Sequence, residues 1–260
     1  MKIGTKSIGF SLLILMAGSA CGLSSLSGPP EAESEGVLTP TVAEPPGLPV
    51  SVNEGLASLD SYRLTYTSDA FDSISQQRTV TNSLVLHDRN ADADFTRTET
   101  RVTDADDQIL SEDVQEQIVI GDQSCAVAYG EAELTTLSPT ERTMADLMSR
   151  VVVIRPLIEN PVLLGQEVMS GVPVRTYTFE VRSVGSGTEV EASRSDGVYA
   201  VAVDGDYLVH YRLDLELRTG AEDDPSAEVS AILLEMRLES INQPVSIEFP
   251  PECQAAGSSE

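Results

Sequence analysis

The sequence predicts an α+β domain, mainly antiparallel β: a sheet of about nine to ten strands that must curl, with one or two helices packed on its concave face. Three observations lead there. Runs of strict apolar/polar alternation recur from Tyr62 to Phe249. The dipeptides Gly121-Asp122 and Asp204-Gly205 separate adjacent runs as hairpin turns. One stripe of apolar residues at helical spacing interrupts the strands after Ser138.

Taken in order, residues 1–20 read as a leader. Lys2 and Lys6 form a basic start, an apolar run follows from Ile8 to Ala17, and the small residues Gly18, Ser19 and Ala20 lead into Cys21. The arrangement is similar to the end of a lipoprotein signal peptide, although Gly18 stands where Leu is commonest. Cys21 is then the lipidation site, carrying diacylglycerol and palmitate-type chains, and the protein is expected to be exported and lipid-anchored to the cell membrane on its extracytoplasmic face. Residues 21–52 are a Pro, Gly, Ser and Glu mixture without apolar periodicity, which reads as a disordered tether. Its reach is roughly 30 Å.

The domain is expected over 53–253, with a disordered tail at 254–260. Tyr62, Leu64 and Tyr66 share one face of the first strand. Strands follow at 78–87, 94–103 and 112–120, and Gly121-Asp122 turns the chain into Ser124–Tyr129. Ser138-Pro139-Thr140-Glu141 is a capping box with Pro at the first helical position. Met144, Leu147, Met148, Val151 and Ile154 repeat behind it, so a helix is expected over 138–155, with a short helical turn near Leu157 to Asn160. Strands resume at Val172–Val181, the Gly- and Ser-rich region 184–196 reads as a loop, and Val198–Val203 meets Tyr207–Thr219 across Asp204-Gly205. A long strand from Ala227 to Ser240 and a short one from Val245 to Phe249 complete the sheet.

Composition excludes several function classes. The net charge of −26 becomes −28 once Lys2 and Lys6 leave with the leader, and no lysine remains. Phosphate binding needs a basic face, so nucleic acid is excluded as a partner. Schiff-base and lysine-nucleophile chemistry are excluded too. With Cys21 acylated, Cys125 and Cys253 remain, and two cysteines in an exported chain most simply form a disulfide; two buried free thiols are the alternative.

Catalytic residues are scarce. His87 and His210 are the only histidines, both read as surface residues, and no nucleophile has a recognisable setting, so no enzyme and no cofactor is expected. The sharpest local motif is Asp88, Asn90, Asp92, Asp94 and Glu99, which matches the spacing of a calcium loop. Ala93 stands where Gly supplies the sharp turn and the flanks read as strands, so a solvated acidic hairpin is favoured and no metal is expected.

Four segments carry a resemblance that covers about 56–253. They are Leu59-Asp60-Ser61-Tyr62-Arg63-Leu64, the run from Leu164-Gly165-Gln166 to Arg175-Thr176-Tyr177, Val203-Asp204-Gly205-Asp206-Tyr207-Leu208-Val209, and Ile241-Asn242-Gln243-Pro244 through Pro250. In this order they resemble exported lipoproteins of the LppX, LprA, LprF and LprG type, whose half-barrel fold is shared with the carrier LolA. The resemblance implies a curved half-barrel sheet with helices on its concave side and, in several members, a cavity for acyl chains. The chain departs from the pattern in lacking Trp and in having Ala202 before the Asp-Gly hairpin. The expected function is binding of lipid or another hydrophobic ligand, with Met144, Leu147, Met148, Val151, Tyr207, Val209 and Tyr211 as groove residues. The alternative is an envelope protein-interaction module, a sensor or scaffold of the same fold with a protein partner and no ligand cavity.

Overall fold

The structure, a computed structural model, describes residues 55–143, 159–181, 183–184, 190–205, 207–219 and 228–256. Twelve strands lie in one open, mainly antiparallel sheet, a mostly-β, half-barrel-like arrangement. The first six are β1 (Ser61–Asp72), β2 (Gln77–Asp88), β3 (Ala93–Thr103), β4 (Ile109–Ile120), β5 (Gln123–Ala128) and β6 (Glu131–Thr136). They form a meander whose connections are short turns. β7 (Glu159–Met169), β8 (Val172–Glu180), β10 (Val190–Ala202), β11 (Leu208–Thr219) and β12 (Glu228–Glu239) form a second meander, with the two-residue β9 (Ser183–Val184) against β10. The two join where β1 pairs with β12, in the order β6-β5-β4-β3-β2-β1-β12-β11-β10-β8-β7.

The strand count exceeds the nine to ten expected, and the reasons are local. β6 carries Glu131 and Glu133 in a short segment without strong alternation, yet its backbone finds a ladder on β5. β7 holds Pro161 and Gly165, both weak strand formers, and tolerates them as an edge strand with register shifts at those places. β10 begins at Val190, not Val198, because β11 presents twelve residues of ladder and the Ser, Glu and Gly residues of 191–197 pair along it. Pairing overrides propensity there.

The capping box forms as the sequence indicates: Ser138 N donates to Glu141 Oε2 at 2.8 Å and Glu141 N to Ser138 Oγ at 3.4 Å. Residues 139–143 are helical. Most of the expected helix, with Met144, Leu147, Met148 and Val151, lies outside the described residues, as do Leu157 and Ile158. Asn160 belongs to β7, which corrects the helical turn expected there.

After β12 the chain returns across the first meander. Asn242 N donates to Ser61 O, and Ser61 Oγ donates to Gln243 O at 2.6 Å. Val245, Ile247 and Phe249 are half-buried while Ser246 and Glu248 are exposed, so the alternation is real, but the segment joins no ladder and is not the strand expected. It leads into helix α1 (Pro251–Ala256), which runs beyond the domain end set at Cys253. Cys125 of β5 and Cys253 of α1 form a disulfide with a sequence separation of 128, both fully buried. No described helix is long and apolar enough to cross a membrane.

The main core gathers Leu56, Leu59, Tyr62, Leu64 and Val85 with buried side chains of β8, β10, β11 and β12. Gly197 on β10 is required by this packing, since a Cβ there would lie 2.4 Å from the Phe179 ring.

Candidate functional site

Residues directly opposite one another in an antiparallel ladder share a face, so register alone lays out what each face presents. One row runs Tyr177, Tyr199, Tyr211, Met236, Tyr66, Ser83, Thr98 and Gln115 from β8 to β4. A second, one step along, runs Phe179, Gly197, Leu213, Leu234, Ser68, Thr81, Thr100 and Asp113. The face is aromatic and aliphatic in the second meander and changes to hydroxyls at β1. Tyr177 and Tyr199 stack with centroids 4.9 Å apart, and Phe179 packs tilted on Tyr199 and Tyr211. Across β2 and β3 the hydroxyl pairs Ser83/Thr98 and Thr81/Thr100 meet at 3.1 and 3.4 Å.

Of the groove residues expected from sequence, Tyr207, Val209 and Tyr211 are all buried. Tyr211 is 1% exposed, and its hydroxyl has no hydrogen-bond partner among the described residues. Burial, with Tyr66 as a lesser contributor, pushes its phenol well above the ordinary range. Burial likewise takes Tyr199 up to about 12, helped by Tyr177. These phenols stay neutral, so the row carries no charge. Leu213, Leu215, Met236 and Tyr66 belong to the same face. Tyr66 and Met236 could have been read from the sequence only by registering β1 against β12.

The opposite face is organised by charge. Arg78 pairs with Asp69, Arg101 with Glu112, Arg97 with Glu99 and Glu116, and Arg237 with Glu235. Arg194 reaches Asp214 at 3.3 Å, Asp196 at 3.4 Å and Glu216 at 3.5 Å. On this face a cleft of about 560 Å3 is lined by Val162, Thr178, Val198, Arg194, Arg212 and Asp214 among others. Arg194 is paired there with Asp196 and Asp214.

His87 is not the surface residue expected. It is 5% exposed, its Nδ1 sits 2.7 Å from Asp94 Oδ1, and Tyr62 packs on its ring. The register that places Asp88 opposite Ala93 puts His87 opposite Asp94, a juxtaposition available from the hairpin spacing. Asp94 Oδ2 lies 3.7 Å from Arg142 Nη2, which donates to Asp92 Oδ1 at 2.5 Å. The cluster pins the helical turn 139–143 to the β2–β3 hairpin. His210, also read as a surface residue, is half-buried, and burial holds its pKa below the ordinary value.

The four calcium-spaced carboxylates are engaged within the protein. Asp88 Oδ1 accepts from the amides of Asn90 and Ala91, Asp92 takes Arg142, Asp94 takes His87, and Glu99 takes Arg97. Among the described residues no group of three or more His, Cys, Asp or Glu side chains is placed to hold a metal ion.

No family model matches the chain, and no curated protein matches it. Among solved structures it is similar to the lipoprotein LppX of Mycobacterium tuberculosis, at 16% identity over 75% of this chain and 92% of that one, with a TM-score of 0.34. LprF from Mycobacterium bovis is similar at 11% identity over 76% and 93%, with a TM-score of 0.36. A beta-barrel-like protein of a domain of unknown function from Brucella abortus is similar at 9% identity over 70% and 98%, with a TM-score of 0.20.

Proposed function

We propose that this chain is a non-enzymatic binding domain of the cell envelope, tethered through lipid on Cys21, whose neutral apolar face takes a lipid or another hydrophobic ligand. The observation that carries the reading is the row Tyr177, Tyr199, Tyr211, Met236 and Tyr66, an uncharged aromatic row, buried except for half-buried Tyr66, in a chain of net charge −26. Aromatic rings and a thioether supply large apolar area and adapt to varied chain shapes. Met144, Leu147, Met148 and Val151 would complete the lining. Native mass spectrometry of the full chain, with organic extraction of whatever it carries, tests this. The expected result is a stoichiometric hydrophobic molecule; an empty protein that also ignores fluorescent fatty acids contradicts it.

A second reading, an envelope protein-interaction module, is favoured by β7. Val162, Leu163, Leu164 and Val168 are exposed on this edge strand, and unpaired apolar edges accept an added strand. Affinity capture with the full chain that returns one partner stoichiometrically, lost on Leu164→Lys, would support it.

A further inference from the structure

The two ends of the first meander differ. Because β1 to β6 run as a simple meander, the turns β1–β2 (73–76), β3–β4 (104–108) and β5–β6 (129–130) lie at one end. Each turn carries large apolar side chains in or beside it: Ile74 is 72% exposed, Ile109 and Leu110 57% and 52%, and Tyr129 83%. The turns at the other end of the same strands, at 89–92 and 121–122, carry no exposed large hydrophobic residue among the described ones.

The apolar tips are built, not incidental. A register shift between Val102 and Thr103 leaves Leu110 unpaired, so Ile109 and Leu110 both turn outward. Tyr129 has φ 54 and Gly130 φ 79, a two-residue turn whose first position suits Asn or Gly and is costly for Tyr. Asp72 holds the first turn by accepting from Ile74 N and Ser75 Oγ, and Asp104 holds the second by accepting from the amides of Asp106 and Gln108. Three hairpins placed two strands apart put these tips on a line, about 10 Å from one to the next.

We propose that this end of the sheet docks on a lipid surface of uncharged or zwitterionic headgroups, with Ile74, Ile109, Leu110 and Tyr129 entering the interface. Single apolar side chains separated by polar turn atoms do not make the continuous, shape-matched patch that a protein partner needs. A fluid bilayer asks only that they reach one plane, and tyrosine is at home at that depth. Asp72, Asp104, Asp106 and Asp107 in the same turns repel anionic headgroups. The proposal does not depend on a ligand in the aromatic face.

The chain has no tryptophan, so Tyr129→Trp makes a single reporter. The full chain carrying it is mixed with phosphatidylcholine vesicles containing brominated acyl chains. The expected result is a blue-shifted emission quenched at least twofold, weaker quenching when phosphatidylglycerol is added, and loss of most quenching when Ile74, Ile109 and Leu110 are also changed to Ser. Asn90→Trp, at the other end, should stay unquenched. A Tyr129→Trp reporter that keeps the emission of water-exposed indole, quenching unchanged by the three serines or strengthened by phosphatidylglycerol, or equal quenching at position 90 would each overturn the proposal. Thermal unfolding of every variant confirms that the fold is intact.

Discussion

Within one continuous face, the strands β8, β10, β11 and β12 and the strands β1 to β4 solve the same problem in opposite ways. The first group fills its inward positions with Tyr177, Phe179, Tyr199, Tyr211, Leu213, Leu215 and Met236, nearly all closed to solvent. The second buries Tyr62, Leu64 and Val85 on this face but places Ser68, Thr79, Thr81, Ser83, Thr96, Thr98 and Thr100 at further inward positions, half-buried, with Ser83 bonded to Thr98 and Thr81 to Thr100. Both alternate, and both set most of their ion pairs on the other face, the buried His87–Asp94 pair of the first meander lying on this one. The difference teaches that alternation decides which face is inward, while residue type decides whether that face holds the fold together or simply avoids charge. Stability should therefore be concentrated in the second meander, and the first should tolerate change.

The largest expected effect breaks that concentration. Leu213→Ala removes a fully buried side chain and should cost about 2–5 kcal/mol, whereas Thr98→Ala should cost about 1 kcal/mol or less. Urea unfolding of the two variants compares the halves directly, and equal losses would remove the contrast. Cys253→Ser should cost about 2–4 kcal/mol by releasing α1 from β5. That loss falls on the first meander, so hydrogen exchange should rise in β5 and β6 more than in β10 and β11. Gly197→Ala forces a methyl onto the Phe179 ring and should cost about 1–3 kcal/mol, read as a lowered urea midpoint.

The smallest effect is a pH dependence. His210 has its folded-state pKa lowered, chiefly by burial, so the unfolded chain binds the proton more readily. Its contribution is full above the unfolded value near 6.5 and is lost as pH falls from there through the folded pKa. Glu235, lowered by its bond from Arg237, adds a loss further down, as pH falls from its ordinary value through its folded one. His210→Gln should flatten the stability profile just below pH 6.5 and leave the lower limb in place. A wild-type profile flat from pH 7 to 5 would argue against the assignment.

How much was legible in the sequence follows the same division. β11 could be read almost residue by residue because Tyr211, Leu213 and Leu215 alternate with Arg212, Asp214 and Glu216 in a single long strand. The capping box at Ser138 was legible because it is local, four residues settling their own hydrogen bonds. β10 was not, since Glu191 to Gly197 lack strand propensity and are extended only because β11 lies beside them. The burial of His87 is hidden for a related reason: linear spacing reads its partner Asp94 as part of a solvated acidic hairpin, while the hairpin register sets the two side chains face to face. The apolar row offered as the candidate site was half legible. Tyr207, Val209 and Tyr211 came from periodicity, but the contributions of Tyr66 and Met236 depend on β1 meeting β12, the longest-range pairing in the sheet.

The central claim, that the neutral aromatic face binds an apolar ligand and the charged face does not, turns on two adjacent residues of β1. Tyr66 points into the aromatic row opposite Met236, and Thr67 points away, opposite Glu235. Titration of a fluorescent fatty acid into the full chain, Tyr66→Asp and Thr67→Asp is the most direct measurement. The expected result is saturable binding by the wild type and Thr67→Asp and a loss of at least tenfold in affinity for Tyr66→Asp, with both variants folded by circular dichroism. Equal affinity in all three, or no binding by the wild type, would contradict it.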